Sequence, residues 1–282
     1  MAVGESKLKK GKVDLHVHSI YSDGTLTPAE LLALAEERGV KLFAVADHDV
    51  LEGSKELVRL SAGSEVRCVP AVELTGFDSG VCVHVLAYGY SFADSEFAEY
   101  VKINRRKLDE MSDRLIEAME RAGEPVSGSE YASFEHNKRL GGWKALHYLV
   151  EKGITRAPLE GLPLYPRYGV GYGTAGFPPV AELCKVIHRA GAIAVLAHPG
   201  VTLGAIDLPE NEAKLLKLIS MGIDGIECYY PQHSPATVAR LLALCGELGL
   251  YVTSGSDSHG AFTGAELGSI PVTLEDIRFP FC

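Results

Sequence analysis

The sequence predicts an α/β protein whose βα units build a parallel sheet, arranged as one barrel-like domain with a single helical insertion. Short apolar segments rich in Val, Ile and Ala alternate with helix-like stretches in both halves of the chain, which is the pattern of βα units. This alternation stops between residues 93 and 178, where the apolar spacing becomes helical. A chain of 282 residues is long enough to bury the core of such a barrel as one domain.

The first part of the chain contains four predicted strands and two predicted helices. The strands are expected at residues 13–17, 42–46, 67–74 and 81–88. One helix begins after Thr27 with Pro28 in its first turn and ends before Gly39, and a second covers residues 53–60. Residues 77–80 are typical of a turn, so the strands on either side of it are expected to pair as neighbours.

The inserted segment, residues 93–178, is predicted to be a mostly helical cap region. Within residues 92–123, helical spacing is kept by the apolar residues Val101, Leu108, Met111, Leu115 and Met119. A second helix at 143–151 precedes a passage rich in Gly, Pro and Tyr. The βα rhythm then resumes, with helices at 180–190, 210–221 and 235–248 and strands at 192–197, 224–228 and 250–254.

Composition and charge exclude several classes of protein. Hydrophobic residues make up 46% of the chain and charged residues 23%, as in ordinary globular proteins, and no apolar run is long enough for a membrane span. The net charge of −10 disfavours binding to a long nucleic acid duplex, but a small anion bound through metal ions is compatible with it. The start lacks the apolar stretch of a signal peptide and the six cysteines form no CxxC pair, so a cytoplasmic protein is expected.

Polar residues that can bind metals follow nearly every predicted strand. The segments are DLHVH, VADHD, AVE, HVLAY, LAHP, ECYYPQH and SGSDSH. Because strand ends converge on one face of a barrel, their side chains are expected to meet in one pocket. His16 and His18 leave a strand from the same face, so both imidazoles could reach one ion. An HxH pair alone could also be two satisfied histidines, but Asp14 and Asp23 nearby favour metal binding.

Three further candidates follow or lie within other strands. His48 is interpreted as a ligand, with Asp49 orienting it or capping a helix. Glu73 follows an apolar run, where a buried carboxylate needs a cation; a bridge between two metals is favoured and a salt bridge to Arg is the alternative. His84 lies inside an apolar strand, where a core histidine is the ordinary interpretation, and only its companions favour ligation.

The end of the chain adds the last candidates. His198 ends an apolar strand before a turn, and Asp257 and His259 repeat the one-residue spacing seen at His16 and His18. Their Gly-flanked segment suits close approach to a site and also suits a plain loop. His233 lies beyond a strand end, where it could orient a ligand or face the substrate.

Taken in order, six segments resemble the metal motifs of the PHP (polymerase and histidinol phosphatase) superfamily. They are DLHVHSIYSDGTLTP, VADHDVLEG, VPAVELT, HVLAYGY, VLAHPG and GSDSHG. The likeness covers nearly all of residues 12–92 and 179–260 and is greatest to stand-alone phosphoesterases that act on nucleotide 3′,5′-bisphosphates or trim short RNA. It implies a distorted seven-stranded (β/α)7 barrel formed by residues 12–92 and 179–276, with residues 93–178 as the inserted cap region.

The resemblance also implies three divalent metal ions. By position in the motifs, the first ion is expected at His16, His18, Glu73 and Asp257. Glu73 is shared with a second ion completed by His84 and His198, and the third resembles a site of Asp23, His48 and His259. Asp14 and Asp49 are expected to support these ligands. Imidazoles mixed with carboxylates suit Mn²⁺, Fe²⁺ or Zn²⁺. A metal-bound water is the expected nucleophile, so no protein nucleophile is required.

The cap region is expected to contact a small phosphorylated, nucleotide-like substrate. Four cations could hold a phosphate, and solvated surface charge is an equally supported interpretation of each: Lys138, Arg139, Arg105 and Arg106. Relatives usually carry an Arg-Pro-His element in this region, where residues 138–143 of this chain are KRLGGW. Metal chemistry is therefore carried over with more support than the identity of the substrate.

These observations together predict a metal-dependent phosphoesterase that cleaves a phosphate monoester, with a nucleotide bisphosphate or a short oligonucleotide end favoured. The alternatives are a histidinol-phosphate-type phosphatase, an amidohydrolase-like enzyme that cleaves a C–N bond, and a non-catalytic metal-binding regulatory domain. No predicted strand end offers the lysine that a carbamylated amidohydrolase site would need. The complete ligand set disfavours the regulatory domain.

Overall fold

The computed structural model describes residues 11–282, in which eight strands form two sheets flanked by helices. The first sheet is parallel and contains β1 (Lys12–Asp14), β2 (Val40–Phe43) and β3 (Arg67–Cys68). The second has the order β4 (Ala71–Asp78), β5 (Val81–Tyr88), β6 (Ile193–Leu196), β7 (Gly225–Tyr229) and β8 (Tyr251–Ser254). The prediction of a mixed α/β fold is confirmed.

The strand count differs from the seven-stranded closed barrel that the resemblance implies. The strand predicted at 67–74 is two strands, β3 and β4, which belong to different sheets. Pro70 lies at the break, and proline has no N–H to continue a hydrogen-bonded ladder. Between the sheets, isolated bridges pair Val17 with Ser258 and His48 with Glu73, and the backbone N of Leu15 donates to the carbonyl O of Ser254. No continuous ladder of the described residues joins the two sheets into one closed barrel.

The second sheet is also not wholly parallel, because β5 runs antiparallel to both β4 and β6. Asp78 pairs with Val81, which leaves Ser79 and Gly80 as a two-residue turn. Both turn residues have positive φ, 50° and 85°, as a tight hairpin turn requires. The predicted pairing of these neighbouring strands is confirmed, and the tight turn makes it antiparallel.

Ten helices surround the sheets in the described part of the chain. They are α1 (Pro28–Glu37), α2 (Glu52–Leu60), α3 (Ser95–Arg121), α4 (Gly128–Ser133), α5 (Lys144–Glu151), α6 (Leu164–Arg167), α7 (Val180–Arg189), α8 (Pro199–Leu203), α9 (Pro209–Ile219) and α10 (Pro235–Leu248). The predicted start of α1 is confirmed: Thr27 and Glu30 form a reciprocal capping box, with Pro28 in the first turn. The short helix α8 was not predicted.

Every regular element between Ser95 and Thr174 is helical, and this segment has a small core of its own. The side chains of Leu115, Ile116 and Met119 on α3 pack against Tyr148 and Leu149 on α5. Larger clusters fill the space between the sheets and the outer helices, with Leu86 and Tyr88 of β5 fully buried. No helix within residues 11–282 has both the length and the apolar character needed to span a membrane.

Candidate metal centre

The nine predicted ligands come together in one pocket, with Glu73 and His84 inside β4 and β5 and the other seven in segments that follow strands. Eight of them form three groups in which one ligand atom per residue lies within 4.8 Å of the others. The groups are His16, His18 and Asp257; His48, Glu73 and His84; and His18, Asp23, His48 and His259. The ninth, His198, places Nε2 3.1 Å from Glu73 Oε1. Side chains more than 200 positions apart in sequence therefore share one pocket.

Glu73 lies at the centre of this arrangement and is fully buried. Its Oε2 is 2.9 Å from His48 Nδ1, 3.3 Å from His16 Nε2 and 3.4 Å from His18 Nε2. Its Oε1 faces the other side, 3.0 Å from His84 Nδ1 and 3.1 Å from His198 Nε2. One carboxylate thus faces five imidazoles, and the salt bridge to Arg considered from the sequence is not formed.

The ends of the cluster are built around two aspartates. Asp257 Oδ1 is 3.0 Å from His18 Nε2 and 3.6 Å from His16 Nε2. Asp23 Oδ2 is 3.3 Å from His259 Nε2 and 3.9 Å from His48 Nε2, and its Oδ1 is 3.6 Å from His18 Nδ1. The structure therefore groups His18 with both aspartates, whereas the motif order assigned it to the first ion alone.

Several buried polar atoms of the cluster make no hydrogen bond within the protein, and a bound cation would give them a partner. They are Asp23 Oδ1, Glu73 Oε2, His84 Nδ1 and His198 Nδ1. Glu73 Oε2 and His48 Nδ1 are 2.9 Å apart, yet the geometry of a hydrogen bond is not met. Buried polar atoms are rarely left unpaired without a reason, and imidazoles mixed with carboxylates form a donor set that suits divalent transition metals. The residues present therefore fit metal ions.

The carboxylates of the cluster hold their negative charge strongly. Burial alone would raise the pKa of Glu73, but the imidazoles of His84 and His48 outweigh it and hold that pKa well below its usual range. Burial opposes ionisation of Asp257 in the same way, and His16 and His18 again hold its pKa well below the ordinary value. The pocket therefore presents negative oxygens to any bound cation.

Backbone strain is concentrated in the same place. Four non-glycine residues between 11 and 282 have positive φ, and three of them belong to the site: Asp49 (51°), His198 (28°) and Asp257 (53°). Such conformations persist only where the surroundings enforce them, and they recur at functional sites. His198 and Asp257 follow the ends of β6 and β8, and Asp49 is next to His48, so the strained backbone lies at or beside three of the clustered residues.

Comparison with known proteins places the chain in a family. A PHP domain matches residues 14–123. Phosphoribosyl 1,2-cyclic phosphate 1,2-diphosphodiesterase of Eggerthella lenta is 30% identical over 88% of this chain and 94% of its own length. The chain belongs to the PHP family.

Other relatives of this PHP chain are hydrolases of phosphate esters. The 3′,5′-nucleoside bisphosphate phosphatase of Chromobacterium violaceum is 27% identical over 89% of this chain and 88% of its own length. A 5′-3′ exoribonuclease of Escherichia coli is 27% identical over 94% and 92%. A solved structure described as an amidohydrolase from Chromobacterium violaceum, with bound sulfate and no metal, is similar in fold, with a TM-score of 0.72. It is 26% identical in sequence, and the match covers 96% of this chain and 93% of that one. This PHP protein is accordingly a metal-dependent phosphoesterase.

The aspartates predicted to support the PHP ligands lie beside them without entering the cluster. Asp14 accepts hydrogen bonds from the backbone N and the hydroxyl of Ser256 and from the backbone N of Gly268, which fixes the segment before Asp257. Burial raises the pKa of Asp14 to about 6. Asp49 accepts from Asn104 Nδ2 at 2.7 Å and from the backbone N of Thr75, so it ties β4 to α3.

Glu227 is the residue that the sequence reasoning missed. It is fully buried on β7, its Oε1 lies 3.1 Å from His16 Nδ1, and its Oε2 accepts from the backbone N of His198 at 2.9 Å. One carboxylate therefore orients a ligand histidine and fixes the strained backbone of a second. The sequence carried a weaker signal, because Glu227 lies between Ile226 and Cys228 in a predicted strand, where a buried carboxylate needs a partner. Tyr230, also missed, donates to Asp257 Oδ2 at 2.9 Å.

His233 does not enter the cluster either. Its Nδ1 donates to the carbonyl O of Cys228 at 2.9 Å, and its Nε2 accepts from the backbone N of Gly200 at 3.1 Å. A Cβ at position 200 would collide with this imidazole, so glycine allows the contact. With both nitrogens bonded to backbone, His233 holds the turn that follows His198.

The four predicted phosphate-binding cations have different surroundings. Arg106 pairs with Glu99 and Arg139 with Glu30, both at the surface. Arg105 bonds Asp109 through Nε and the carbonyl O of His48 through Nη1, and its guanidinium lies over the ring of Trp143. Lys138 and Arg105 both line a cavity of about 580 Å³, here called the polar cleft, with Asp109, Asp113 and Glu117 of α3 on its wall. Only two of the four cations therefore face a space that a substrate could fill.

Proposed function

We propose that this PHP enzyme hydrolyses a phosphate ester of a small nucleotide-like molecule with three divalent cations held by the nine clustered residues. Metal dependence and phosphoester hydrolysis belong to the family; the number of ions, their ligands and the substrate are proposed. The observation that carries the proposal is the position of Glu73, which faces five imidazoles from both of its oxygens.

The grouping of ligand atoms supports three cation positions. His16, His18 and Asp257 would hold one, His48, Glu73 and His84 a second, and Asp23 and His259 would complete a third with His18 and His48. His198 would join Glu73 and His84. The number of imidazoles favours Mn²⁺, Fe²⁺ or Zn²⁺ over Mg²⁺ and Ca²⁺. When bound, such ions activate water and stabilise negative charge on phosphoryl oxygens, so no protein nucleophile is needed.

The chain's own residues orient both the ions and the substrate. Glu227 holds His16 and the backbone of His198, and Tyr230 holds Asp257. Arg105 has two of its guanidinium nitrogens bonded to protein and is fixed against Trp143, so it is preorganised to meet a phosphate in the polar cleft. We assign residues 93–178 to a cap region over a distorted barrel formed by residues 12–92 and 179–276. Six free cysteines support a reducing, cytoplasmic setting.

For the substrate we favour a nucleotide bisphosphate or a short oligonucleotide end. We also include a cyclic phosphate, because three of the four candidate phosphate-binding cations are already paired with carboxylates. Arg139 and Arg106 are engaged by carboxylates, and Arg105 is partly neutralised by Asp109. At the polar cleft, a second phosphate would therefore meet Lys138 and Lys144, two lining cations for which the structure shows no bonded carboxylate. The relative from Eggerthella lenta is named for a cyclic phosphate ester. Cleavage of a C–N bond has less support, because no predicted strand end supplies the lysine that a carbamylated site would need.

The test is hydrolysis by the full chain loaded with Mn²⁺, Fe²⁺ or Zn²⁺ in turn, followed as phosphate release for monoesters and by chromatography of the products for diesters, with the bound metal counted by elemental analysis. The panel contains a nucleoside 3′,5′-bisphosphate, a 5′-phosphorylated dinucleotide, a phosphoribosyl 1,2-cyclic phosphate and histidinol phosphate. His16→Ala and Asp257→Ala are expected to lose about 100-fold or more of the activity, whereas His188→Ala, which removes an exposed histidine bonded to Asp224, keeps it. Full activity in the first two variants contradicts the mechanism.

A further inference from the structure

A second cavity shares Trp143 with the polar cleft. It has a volume of about 420 Å³, within the range of small-molecule sites, and lies between α3 and residues 162–172. Its walls are apolar and include Leu108, Met111, Tyr165 and Tyr172. No charged side chain in the described part of the protein lines it, in contrast to the polar cleft. We call it the apolar cleft.

The apolar cleft adjoins the polar cleft, and a residue that they share lies beside the metal centre. Trp143 and Ser112 line both cavities. The ring of Trp143 lies 5.9 Å from the ring of His48, and the guanidinium of Arg105, which bonds the carbonyl O of His48, lies 4.9 Å from the Trp143 centroid. A molecule whose phosphate reaches the metal cluster can therefore extend along Trp143 into the apolar cleft.

The chemistry of its walls selects a particular kind of group. Three aromatic rings, those of Trp143, Tyr165 and Tyr172, offer stacking faces, and the thioether of Met111 makes favourable contacts with aromatic rings. Ser112 Oγ and Tyr165 Oη, 2.9 Å apart, are the polar pair at the wall and can exchange one hydrogen bond with a ligand. A charged group would lose hydration here without gaining an ionic partner. A flat, uncharged ring with polar edges fits these walls.

We propose that the apolar cleft binds the nucleobase of the substrate, while the polar cleft takes the sugar and any further phosphate. This inference rests on the proposed function, since it names the part of the leaving group that the enzyme recognises. It also assigns a role to residues 162–172, which lie within the Gly-, Pro- and Tyr-rich passage of the sequence. Base stacking is tolerant of base identity, so purines and pyrimidines are both expected to bind.

Intrinsic fluorescence tests the proposal without metal or turnover, because Trp143 is the sole tryptophan of the chain. The full chain is titrated with adenosine and, separately, with ribose. Adenosine is expected to quench the emission of Trp143 in a saturable manner, because the base stacks beside the indole, and ribose leaves it unchanged. No response to adenosine, or the same response to ribose, overturns the proposal.

Two neighbouring leucines provide a matched pair of variants. Leu162 lines the apolar cleft and is 47% exposed, and Leu159, three residues earlier, is 46% exposed and lies outside it. Leu162→Glu is expected to raise the KM for a nucleoside phosphate about ten-fold, with kcat nearly unchanged, because stacking energy that is equal in ground and transition states appears in KM. Leu159→Glu keeps the parent values. Equal effects of the two variants overturn the proposal.

The metal-loaded enzyme completes the test with adenosine 5′-phosphate and ribose 5-phosphate, which differ only in the base. The base is expected to lower KM about ten-fold, and Leu162→Glu to remove that advantage without altering hydrolysis of ribose 5-phosphate. Equal KM values for the two esters overturn the base cleft while leaving phosphoesterase activity intact. Absence of phosphate release from every ester defeats the proposed function instead, and the adenosine titration still decides what the cleft binds. A doubled mass in light scattering that Leu162→Glu halves assigns the cleft to a dimer contact and overturns the proposal.

Discussion

Glu227→Gln tests how far the metal centre depends on a carboxylate that is not among the proposed ligands. The carboxylate accepts two hydrogen bonds, from His16 Nδ1 at 3.1 Å and from the backbone N of His198 at 2.9 Å, in a fully buried position. Glutamine has nearly the same shape but only one acceptor oxygen, so it cannot accept both.

Either orientation of the amide harms the site. If the amide oxygen stays with His198, the NH₂ group faces His16 Nδ1. This nitrogen can accept a hydrogen bond only if the imidazole carries its proton on Nε2 instead, the atom that faces Glu73 and Asp257. If the oxygen stays with His16, two donors face each other at the backbone N of His198. A buried donor without a partner costs about 1 to 3 kcal/mol, and partners of metal-binding histidines are worth about 10- to 100-fold in metal affinity or activity.

Metal affinity should therefore fall by about 10- to 100-fold in Glu227→Gln, measured by competition with a chromophoric chelator, with phosphate release falling in parallel at limiting metal. Far-UV circular dichroism checks that the variant is folded. Glu247→Gln, which alters an exposed carboxylate paired with Arg240, serves as the control and keeps full affinity. A folded Glu227→Gln protein that binds metal as tightly as the parent refutes the reasoning.

Three further outcomes are expected. Removal of metal with EDTA should lower the melting temperature by about 5 to 10 °C and abolish phosphate release, because ions present at about 1,000 times their Kd contribute about 4 kcal/mol to stability. The melting temperature is measured by differential scanning fluorimetry, and re-addition of Mn²⁺ is the control. An unchanged melting curve contradicts this expectation. Gly255→Ala should lower metal content to below about half, because the new methyl group would overlap His16 Cβ and Glu227 Oε1. Its control is Gly246→Ala on α10, where an added Cβ meets no neighbour within 4 Å, and this variant should be neutral or stabilising by up to about 1 kcal/mol. Elemental analysis measures metal content and urea unfolding measures stability; equal metal content in the two variants counts against the packing argument. Asn104→Ala should lower the free energy of unfolding, measured in urea, by about 2 kcal/mol, because it deprives the buried Asp49 carboxylate and the Thr75 carbonyl of a shared donor. Ser133→Ala, at an exposed position, should lower it by less than about 0.5 kcal/mol. Equal stability of the two variants shows that the Asn104 contact contributes nothing.

Sequence reasoning succeeded where a local pattern has one physical outcome. The imidazoles of His16 and His18 both reach Glu73, as their one-residue spacing predicted, although β1 ends at Asp14. Thr27 and Pro28 begin a helix as predicted, because the threonine hydroxyl accepts from a free N–H group of the first turn and proline has no N–H of its own. A carboxylate after an apolar run, as at Glu73, had to find a cation or donors. Glu227 has no such run before it, because Asp224 and Gly225 interrupt the apolar residues.

Other features depended on contacts that spacing does not encode. Pro70 divides one apolar segment between two sheets, and whether a ladder continues beyond a proline is decided by which strand lies beside it. Arg139 and Arg106 were candidates for phosphate binding, but Glu30 and Glu99, which pair with them, were not predicted as partners.

The sequence by itself identified the side chains whose chemistry suits metal ions and predicted that they would share one pocket, because residue chemistry and strand periodicity are local properties. The tertiary structure alone decided that Glu73 faces five imidazoles at once, that Glu227 joins His16 to His198, and that Trp143 lines both a charged cleft and an apolar one. The physical reason is that these relations join residues from tens to more than 200 positions apart, and only the packing of β4, β7 and the helices α3 and α5 fixes the distances between them.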